Sequence, residues 1–220
     1  MVNVASGVAV ETDKEARLHR ERAFHDERFT EETRQAQAKY YAAVRPAFAR
    51  YESLRQAYVV DADVLEYGCA KGEVSIGLAP IARSVSGIDI SQVAIDQAAE
   101  KADQKGLSNT NFAVMDAEAM DFDDEHFDLI FGSGILHHLN IEKSYAELHR
   151  VLKPGGRVVF IEPLGHNPVL NFYRMMTPKA RTEDEHPLRK ADIKKFNDVF
   201  DGTHTQHYGL TTLGMTPFRN

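Results

Sequence analysis

The sequence predicts an α/β domain with a mostly parallel central sheet, helices on both faces and a helical N-terminal extension. Three observations predict it. Between Asp61 and Pro163, short and wholly apolar runs alternate with amphipathic segments, the pattern of strands buried on both faces and of the helices covering them. Glycines, acids and small polar residues recur just after those runs, where such sheets receive ligands. A chain of 220 residues, 43% hydrophobic and 27% charged, has the size and make-up of one globular domain.

The elements follow in order. Residues 13–57 read as helical and strongly charged. In "FTEETRQAQAKYYAAVRPAFARYESLR", Thr30 is placed as an N-cap, and Pro46 should break or kink the segment. Tyr40, Tyr41, Val44 and Phe48 recur at helical spacing and predict an apolar-aromatic face. The opening "MVNVASGVAVETDKEARLHRER" has an apolar run with no basic residue ahead of it, so it reads as a loose tail rather than a secretory signal. "VLEY" (64–67) is the first strand and residues 68–72 a turn. "EVSIGLAPIA" (73–82) is a helix with Val74, Ile76, Leu78 and Ile81 inward. "SVSGIDI" (84–90) is the second strand, and Ser91 caps a helix running to about Lys105 with Val93, Ile95 and Ala98 inside. "TNFAVMD" (110–116) and "FDLIFGS" (127–133) are the third and fourth strands. "EKSYAELHRVL" is a helix stopped by Pro154-Gly155-Gly156, and "RVVFIEP" (157–163) is the fifth strand.

This gives a helical cap or lid over 1–58, a sheet core over 59–163, an insertion over 164–190 and a C-terminal part over 191–220. The insertion is rich in Pro, Asn and charge and is expected to lie over the strand ends. The C-terminal part carries a helix near 191–200 and a strand-like "THTQHYGL" (203–210) that would form the sheet edge.

Net charge and cysteine content exclude several classes. A formal charge of −7 and a pI near 5.8 argue against non-specific polyanion binding, so no nucleic-acid partner is expected. Cys69 is the one cysteine, which leaves no intramolecular disulfide and fits a reducing compartment. No run approaches the ~20 apolar residues that span a bilayer. The expectation is a soluble, cytoplasmic protein without a membrane span.

The residues after the strands carry the chemistry. After the first strand stands Glu66-x-Gly68-x-Ala70-x-Gly72, a turn that lets a ligand approach the backbone. Asp89, 21 residues beyond Gly68, is placed to take both hydroxyls of a ribose. Asp116-Ala117-Glu118 follows the third strand and suits an adenine amino group; Gly132-Ser133-Gly134 and then His137-His138 follow the fourth. The nicotinamide dinucleotide fingerprint G-x-G-x-x-G would fall on Gly68, Ala70 and Glu73, so its third glycine is missing. An acid ahead of the turn suits a ligand with cationic groups better than a pyrophosphate. A nucleoside bearing a sulfonium and an amino-acid tail meets that description.

On these residues the chain resembles the class I S-adenosylmethionine-dependent methyltransferases, whose fold is Rossmann-like. "VLEYGCAKG", "GIDIS", "MDAEAMDF", "FDLIFGSGILHHL" and "ELHRVLKPGGRVVFIEP" carry the likeness over roughly Val64 to Pro163. The resemblance implies that Glu66, Gly68, Cys69, Ala70 and Gly72 cradle the methionine part, and Asp89 and Ile90 the ribose. It places the adenine at Asp116 and Ala117, with Ser133 beneath the methyl donor, and implies S-adenosylhomocysteine as the product. The segment "EPLGHNP…RTEDEHPL" is similar to one found in a bacterial subgroup that acts on small molecules. The family normally closes its sheet with a C-terminal hairpin, for which only 203–210 offers a strand, so the hairpin is expected to be incomplete.

The activity implied is methyl transfer by in-line displacement to an oxygen, nitrogen or carbon of a small molecule: a secondary metabolite, lipid or sugar precursor. Alignment alone can supply ~7–11 kcal/mol in such reactions. His137, His138 and His166 are candidate bases, against the reading that "LHHL" merely frames a turn. Tyr40, Tyr41, Glu162, Tyr173 and Arg174 are candidate acceptor contacts, and Arg181 is assigned to salt bridges with Asp184 and Glu185 inside the insertion. No metal is expected, because adjacent histidines point apart and no further ligand cluster is evident. No Asn/Asp-Pro-Pro-aromatic tetrapeptide follows the fourth strand, which counts against nucleic-acid bases as acceptors. A homodimer is compatible with this reading. The alternatives are a protein of this fold that binds the cofactor without turnover and, more distantly, a nicotinamide-dependent oxidoreductase.

Overall fold

The computed structural model describes residues 5–30, 45–165 and 185–208, with only the helical backbone described for 5–13 and 28–30. Five strands form one sheet: β1 (Asp63–Tyr67), β2 (Ser84–Asp89), β3 (Thr110–Val114), β4 (Phe127–Ser133) and β5 (Leu152–Ile161). They run in the order β3-β2-β1-β4-β5 and every pairing is parallel. The order reverses at β1 and β4, so the ligand crevice of this fold opens at the carboxyl ends of these two strands. The described helices are α1 (Ala5–Thr30), α2 (Arg45–Tyr58), α3 (Glu73–Leu78), α4 (Gln92–Gln104), α5 (Ile141–Val151) and α6 (Lys190–Val199).

The continuous apolar runs have a direct physical reason. Neighbouring residues on a strand point to opposite faces, and both faces are covered. Leu65, Tyr67 and Ile130 pack on one side with Phe127, Tyr145, Leu148 and Phe200. Val64, Leu129 and Phe131 pack on the other with Tyr51, Val59 and Leu78. Each such side chain contributes about 1.5–3 kcal/mol when fully buried, so the sheet centre is where the fold is fixed. The Oγ of Ser91 accepts from Ala94 N at 3.1 Å to start α4, and Asn140 Oδ1 accepts from Lys143 N at 3.1 Å to start α5. Ala94, Ile95 and Ala98 are the buried side of α4.

Several expectations are corrected. The N-terminal stretch is a helix from Ala5 rather than a loose tail, and Thr30 is the last residue of α1 rather than the cap of a following helix. The break expected at Pro46 agrees with a helix start there: Pro46 is the second residue of α2, in the first turn, where its missing N–H costs nothing. The helix after β1 stops at Leu78, ahead of Pro80, and Ile81 is 41% exposed rather than inward. α5 ends at Val151, and β5 begins at Leu152, before Pro154-Gly155-Gly156. Leu152 already pairs with Phe127, and a register shift absorbs the Pro-Gly-Gly step before Arg157 pairs with Leu129. Residues 203–208 form no strand, and 209–220 lie outside the described residues.

The insertion leaves and rejoins the core at one point. Leu164 bridges Leu188 in parallel, Leu188 N donates to Pro163 O at 3.1 Å and Gly165 N to Leu188 O at 2.9 Å. Residues 166–184 lie outside the described residues. No described helix is long and apolar enough to cross a membrane.

The two ends of the sheet differ in kind. At the amino ends, Asp63 accepts from Lys153 Nζ, Arg83 and Ser84 Oγ, each at 2.8 Å, and Lys153 also reaches Asp128 at 3.0 Å. The Lys153 hydrogen bond is the main cause that holds the Asp63 carboxyl down at about 2. Acids there are paired with cations. At the carboxyl ends, acids are held chiefly by backbone amides, and that end carries the site.

Candidate active site

The turn after β1 is tied to β2 by three successive amides. Gly68 N and Cys69 N donate to Ile88 O at 3.0 and 2.8 Å, and Ala70 N donates to Asp89 Oδ2 at 2.9 Å. This doubling-back needs left-handed backbone at Gly68 (φ 79°), Ala70 (φ 48°) and Gly72 (φ 69°). At Gly72 space forbids a side chain as well, since a Cβ would lie 2.8 Å from that of Ala98. Ala70 therefore stands where a glycine would sit without strain. Cys69 is buried, and burial pushes its thiol up, away from the reactive thiolate.

Glu66, at the end of β1, is buried beneath this turn. Its carboxylate accepts from Ser75 N at 3.0 Å and Ser75 Oγ at 2.5 Å, in the first turn of α3. A helix N-terminus is the place where a nucleotide fold seats a pyrophosphate. Here the protein's own carboxylate occupies that position, which disfavours a dinucleotide more directly than the missing glycine does. Burial pushes Glu66 up to about 7, against the Ser75 hydrogen bonds and the Arg55 guanidinium, which pull it down.

Asp89 closes β2 with both carboxylate oxygens oriented. Oδ2 accepts from Ala70 N, and Oδ1 accepts from Ser91 N at 3.0 Å. Two amides fix the carboxylate plane and leave the other lone pairs of each oxygen to a ligand. Past β3, Asp116 Oδ1 accepts from Glu118 N at 2.9 Å, and Ala117 O accepts from the buried Tyr67 hydroxyl at 2.6 Å. Ser133 ends β4 and is exposed.

Past β4, a turn of 3-10 helix (Leu136–His138) is held by one acid. Glu162 Oε1 accepts from Ile135 N at 2.9 Å and Leu136 N at 3.0 Å, and Oε2 lies 2.8 Å from His137 Nδ1. Glu162, read from sequence as an acceptor contact, thus has partners within the protein. His137 is buried, its Nε2 is 3.7 Å from Glu185, and its backbone oxygen accepts from His186 N at 2.8 Å. Its Cε1 is the nearest atom to the open face of Gly134. The adjacent histidines do not point apart: the rings of His137 and His138 lie 4.2 Å apart at 40°.

The helix α1, read from sequence as helical from residue 13, reaches these strand ends through partners that the sequence did not name. From α1, Lys14 pairs with Asp116 at 2.6 Å, Arg17 binds Glu118 and His138 O, Arg22 donates to Ile90 O at 3.2 Å and Asp26 accepts from Ser91 Oγ. The alternation of basic and acidic residues over 14–26 marks a charged helix without indicating which strand ends it meets. Of the residues singled out from sequence, the structure assembles Glu66, Gly68, Cys69, Ala70, Gly72, Asp89, Ile90, Asp116, Ala117 and Ser133 along the ends of β1 to β4. His137 and Glu162 meet directly. Tyr40, Tyr41, His166, Tyr173, Arg174, Arg181 and Asp184 lie outside the described residues.

Comparison with known proteins agrees with this geometry. Residues 64–156 match the family model for a methyltransferase domain. The chain is 27% identical to the uncharacterized methyltransferase YcgJ of Bacillus subtilis over 149 residues, 67% of this chain and 58% of that one. It is 34% identical to the aklanonic acid methyltransferase DauC of a Streptomyces species over 144 residues, 61% of this chain and 66% of that one. An S-adenosylmethionine-dependent methyltransferase structure from Methanosarcina mazei superposes with a TM-score of 0.55 at 25% identity, covering 66% of this chain and 82% of that one. Residues 64–156 thus form a methyltransferase domain similar to those of the class I S-adenosylmethionine-dependent enzymes, and the chain spans only 58% and 66% of the length of YcgJ and DauC.

Two consequences are measurable. Ala70→Gly should raise stability by roughly 0.5–1 kcal/mol, because relief of ~1–2 kcal/mol of left-handed strain exceeds the backbone entropy of the added glycine; urea unfolding of both proteins reads the difference. Glu66 has a folded pKa above its ordinary value, so its neutral form favours folding. That contribution is complete below the ordinary carboxylate range and is lost as pH rises through about 7. A fall in unfolding free energy on the order of 2 kcal/mol between about pH 5 and pH 8 is expected, and Glu66→Gln should flatten it.

Proposed function

We infer that this protein transfers a methyl group from S-adenosylmethionine to a small-molecule acceptor. The observation that carries the reading is the Asp89 carboxylate, held by Ala70 N and Ser91 N beside the Gly68–Gly72 turn. A rigid, oriented carboxylate at the end of β2 suits the paired hydroxyls of a ribose, and the Glu66 carboxylate at the start of α3 removes the site a pyrophosphate would need. Gly68, Cys69, Ala70 and Gly72 would hold the methionine part with Glu66 behind them, Asp89 and Ile90 the ribose, and Asp116 and Ala117 the adenine. Bound there, the cofactor supplies an electrophilic methyl for in-line displacement and leaves as S-adenosylhomocysteine.

The chain's own residues align the acceptor, exclude water and take a proton. Glu162 accepts from His137 Nδ1, which leaves Nε2 as the basic nitrogen of that ring. His137 is therefore the proton acceptor we assign, with Glu162 as its positioning residue. The small-molecule acceptor is supported by relatives whose names specify aklanonic acid and ubiquinone biosynthesis. The acidic net charge of −7 favours the same class over nucleic acid.

Calorimetry should detect binding of S-adenosylmethionine and S-adenosylhomocysteine but not NAD, and Asp89→Ala should weaken it about 10–100-fold through loss of charged hydrogen bonds. Unchanged affinity in that variant would remove Asp89 from the site. With an acceptor found by labelled-methyl transfer across metabolite extracts, His137→Gln should lower turnover roughly 10²–10⁴-fold while leaving cofactor affinity unchanged. Equal turnover in both proteins would make His137 a framework residue.

A further inference from the structure

The two adjacent histidines face acids on different elements, and one of these groupings has the form of a metal site. Glu21 and His25 are four residues apart on α1 and so share a face of the helix. His138 comes to them from the turn after β4. His138 Nδ1 lies 3.2 Å from Glu21 Oε2, His25 Nε2 lies 3.6 Å from the same oxygen, and all three donor atoms fall within 4.8 Å of one another. In a tetrahedral zinc site with bonds of about 2.0–2.1 Å, neighbouring ligand atoms are about 3.3 Å apart. Two of the three edges are therefore already close to the tetrahedral value.

Burial and chemistry agree with that geometry. The side chains are 6% (Glu21), 11% (His138) and 20% (His25) exposed. His138 Nδ1 is a buried ring nitrogen that makes no hydrogen bond, so a Lewis acid would satisfy it where a proton donor does not. Two imidazoles and one carboxylate suit a first-row divalent cation such as zinc, and not the oxygen-only sets that calcium and magnesium take. A second grouping, His137, His138 and Glu185, is also compact, but it would take His137 Nε2, the nitrogen assigned above to proton transfer, and its His137–Glu185 separation of 3.7 Å is the wider one.

We propose that Glu21, His25 and His138 bind a zinc-class divalent cation that fastens α1 across the carboxyl ends of the strands. Three protein ligands leave at least one coordination position for water or for an oxygen of a bound molecule. The cation joins residues far apart in sequence, and it fixes the helix whose Lys14 and Arg17 contact Asp116 and Glu118. It stands on the geometry of these three side chains and does not require methyl transfer.

The test uses the full chain without a histidine tag, stripped with chelator and titrated separately with Zn²⁺ by calorimetry and with Co²⁺ by visible absorption. One equivalent of tight binding, the intense d–d bands of a tetrahedral cobalt site and a raised melting temperature are expected. His25→Gln and Glu21→Gln should each weaken Zn²⁺ binding by at least about 10–100-fold, the loss that even outer partners of a metal cause. Glu185→Gln should bind as the parent does. No binding by the parent, equal binding by His25→Gln and Glu21→Gln, or loss confined to Glu185→Gln would each overturn the proposal. S-adenosylhomocysteine affinity, measured on the same metal-free samples, reads the cofactor assignment separately and confirms that the variants are folded.

Discussion

Three consecutive backbone amides, those of Gly68, Cys69 and Ala70, turn back onto the end of β2, and the geometry of the site depends on them. They fold the turn over the sheet's crevice in a single conformation. They also use the carboxylate of Asp89 as a structural partner, so the acid best placed for a ligand is oriented before one arrives. The left-handed backbone at three positions is the cost of this arrangement. Glycine carries two of the three positions without strain; Ala70 carries the third with it. Preorganisation of this kind saves the ordering entropy that binding would otherwise oppose.

The helix α1 converts an open crevice into a covered one. It touches β2 through Ile90 and Ser91, the β3 loop through Asp116 and Glu118, and the β4 turn through His138. These contacts are polar; an exposed pair of that sort contributes about 0–1 kcal/mol, while the Glu118 side chain that Arg17 meets is buried. The apolar contacts that fix the sheet are far stronger in sum. A cover held by polar contacts can yield to a ligand that offers its own partners to Asp116, while the sheet beneath keeps its shape.

Much of this was legible in the sequence, for identifiable reasons. Strands β1 and β4 were readable because burial on both faces leaves runs such as "VLEY" and "FDLIF" mostly apolar, with one acid in each. Their ends were readable because only turns need the glycines and acids found there. The start of β5 was misread, since Pro154-Gly155-Gly156 resembles a stop signal, yet the pairing of Leu152 with Phe127 begins the strand earlier. The charged part of α1 from residue 13 read as helical and only its beginning as a loose tail, but its contacts with the core, made by Lys14, Arg17, Arg22 and Asp26, were not foreseen. Hydrophobic periodicity does not register contacts made through charges. Local spacing likewise gave no hint that His138 would meet Glu21 across 117 positions of chain.

Two glutamates, Glu66 and Glu162, hold the two loops beside the strand ends, and their surroundings differ. Glu66 and Glu162 each accept from backbone N–H groups just beyond a strand end, Glu66 at the start of α3 and Glu162 at the turn before His137. Each therefore substitutes for a capping anion in the loop it holds. They differ in what else they meet. Glu66 has the Ser75 hydroxyl and is pushed up by burial to about 7 behind the turn. Glu162 has the His137 imidazole, a group that stabilises a carboxylate as soon as it gains a proton. A carboxylate that orients an imidazole and stabilises its cation is what a proton acceptor requires. The acid behind the glycine turn thus holds that turn to α3, and the acid behind the histidine turn holds the imidazole.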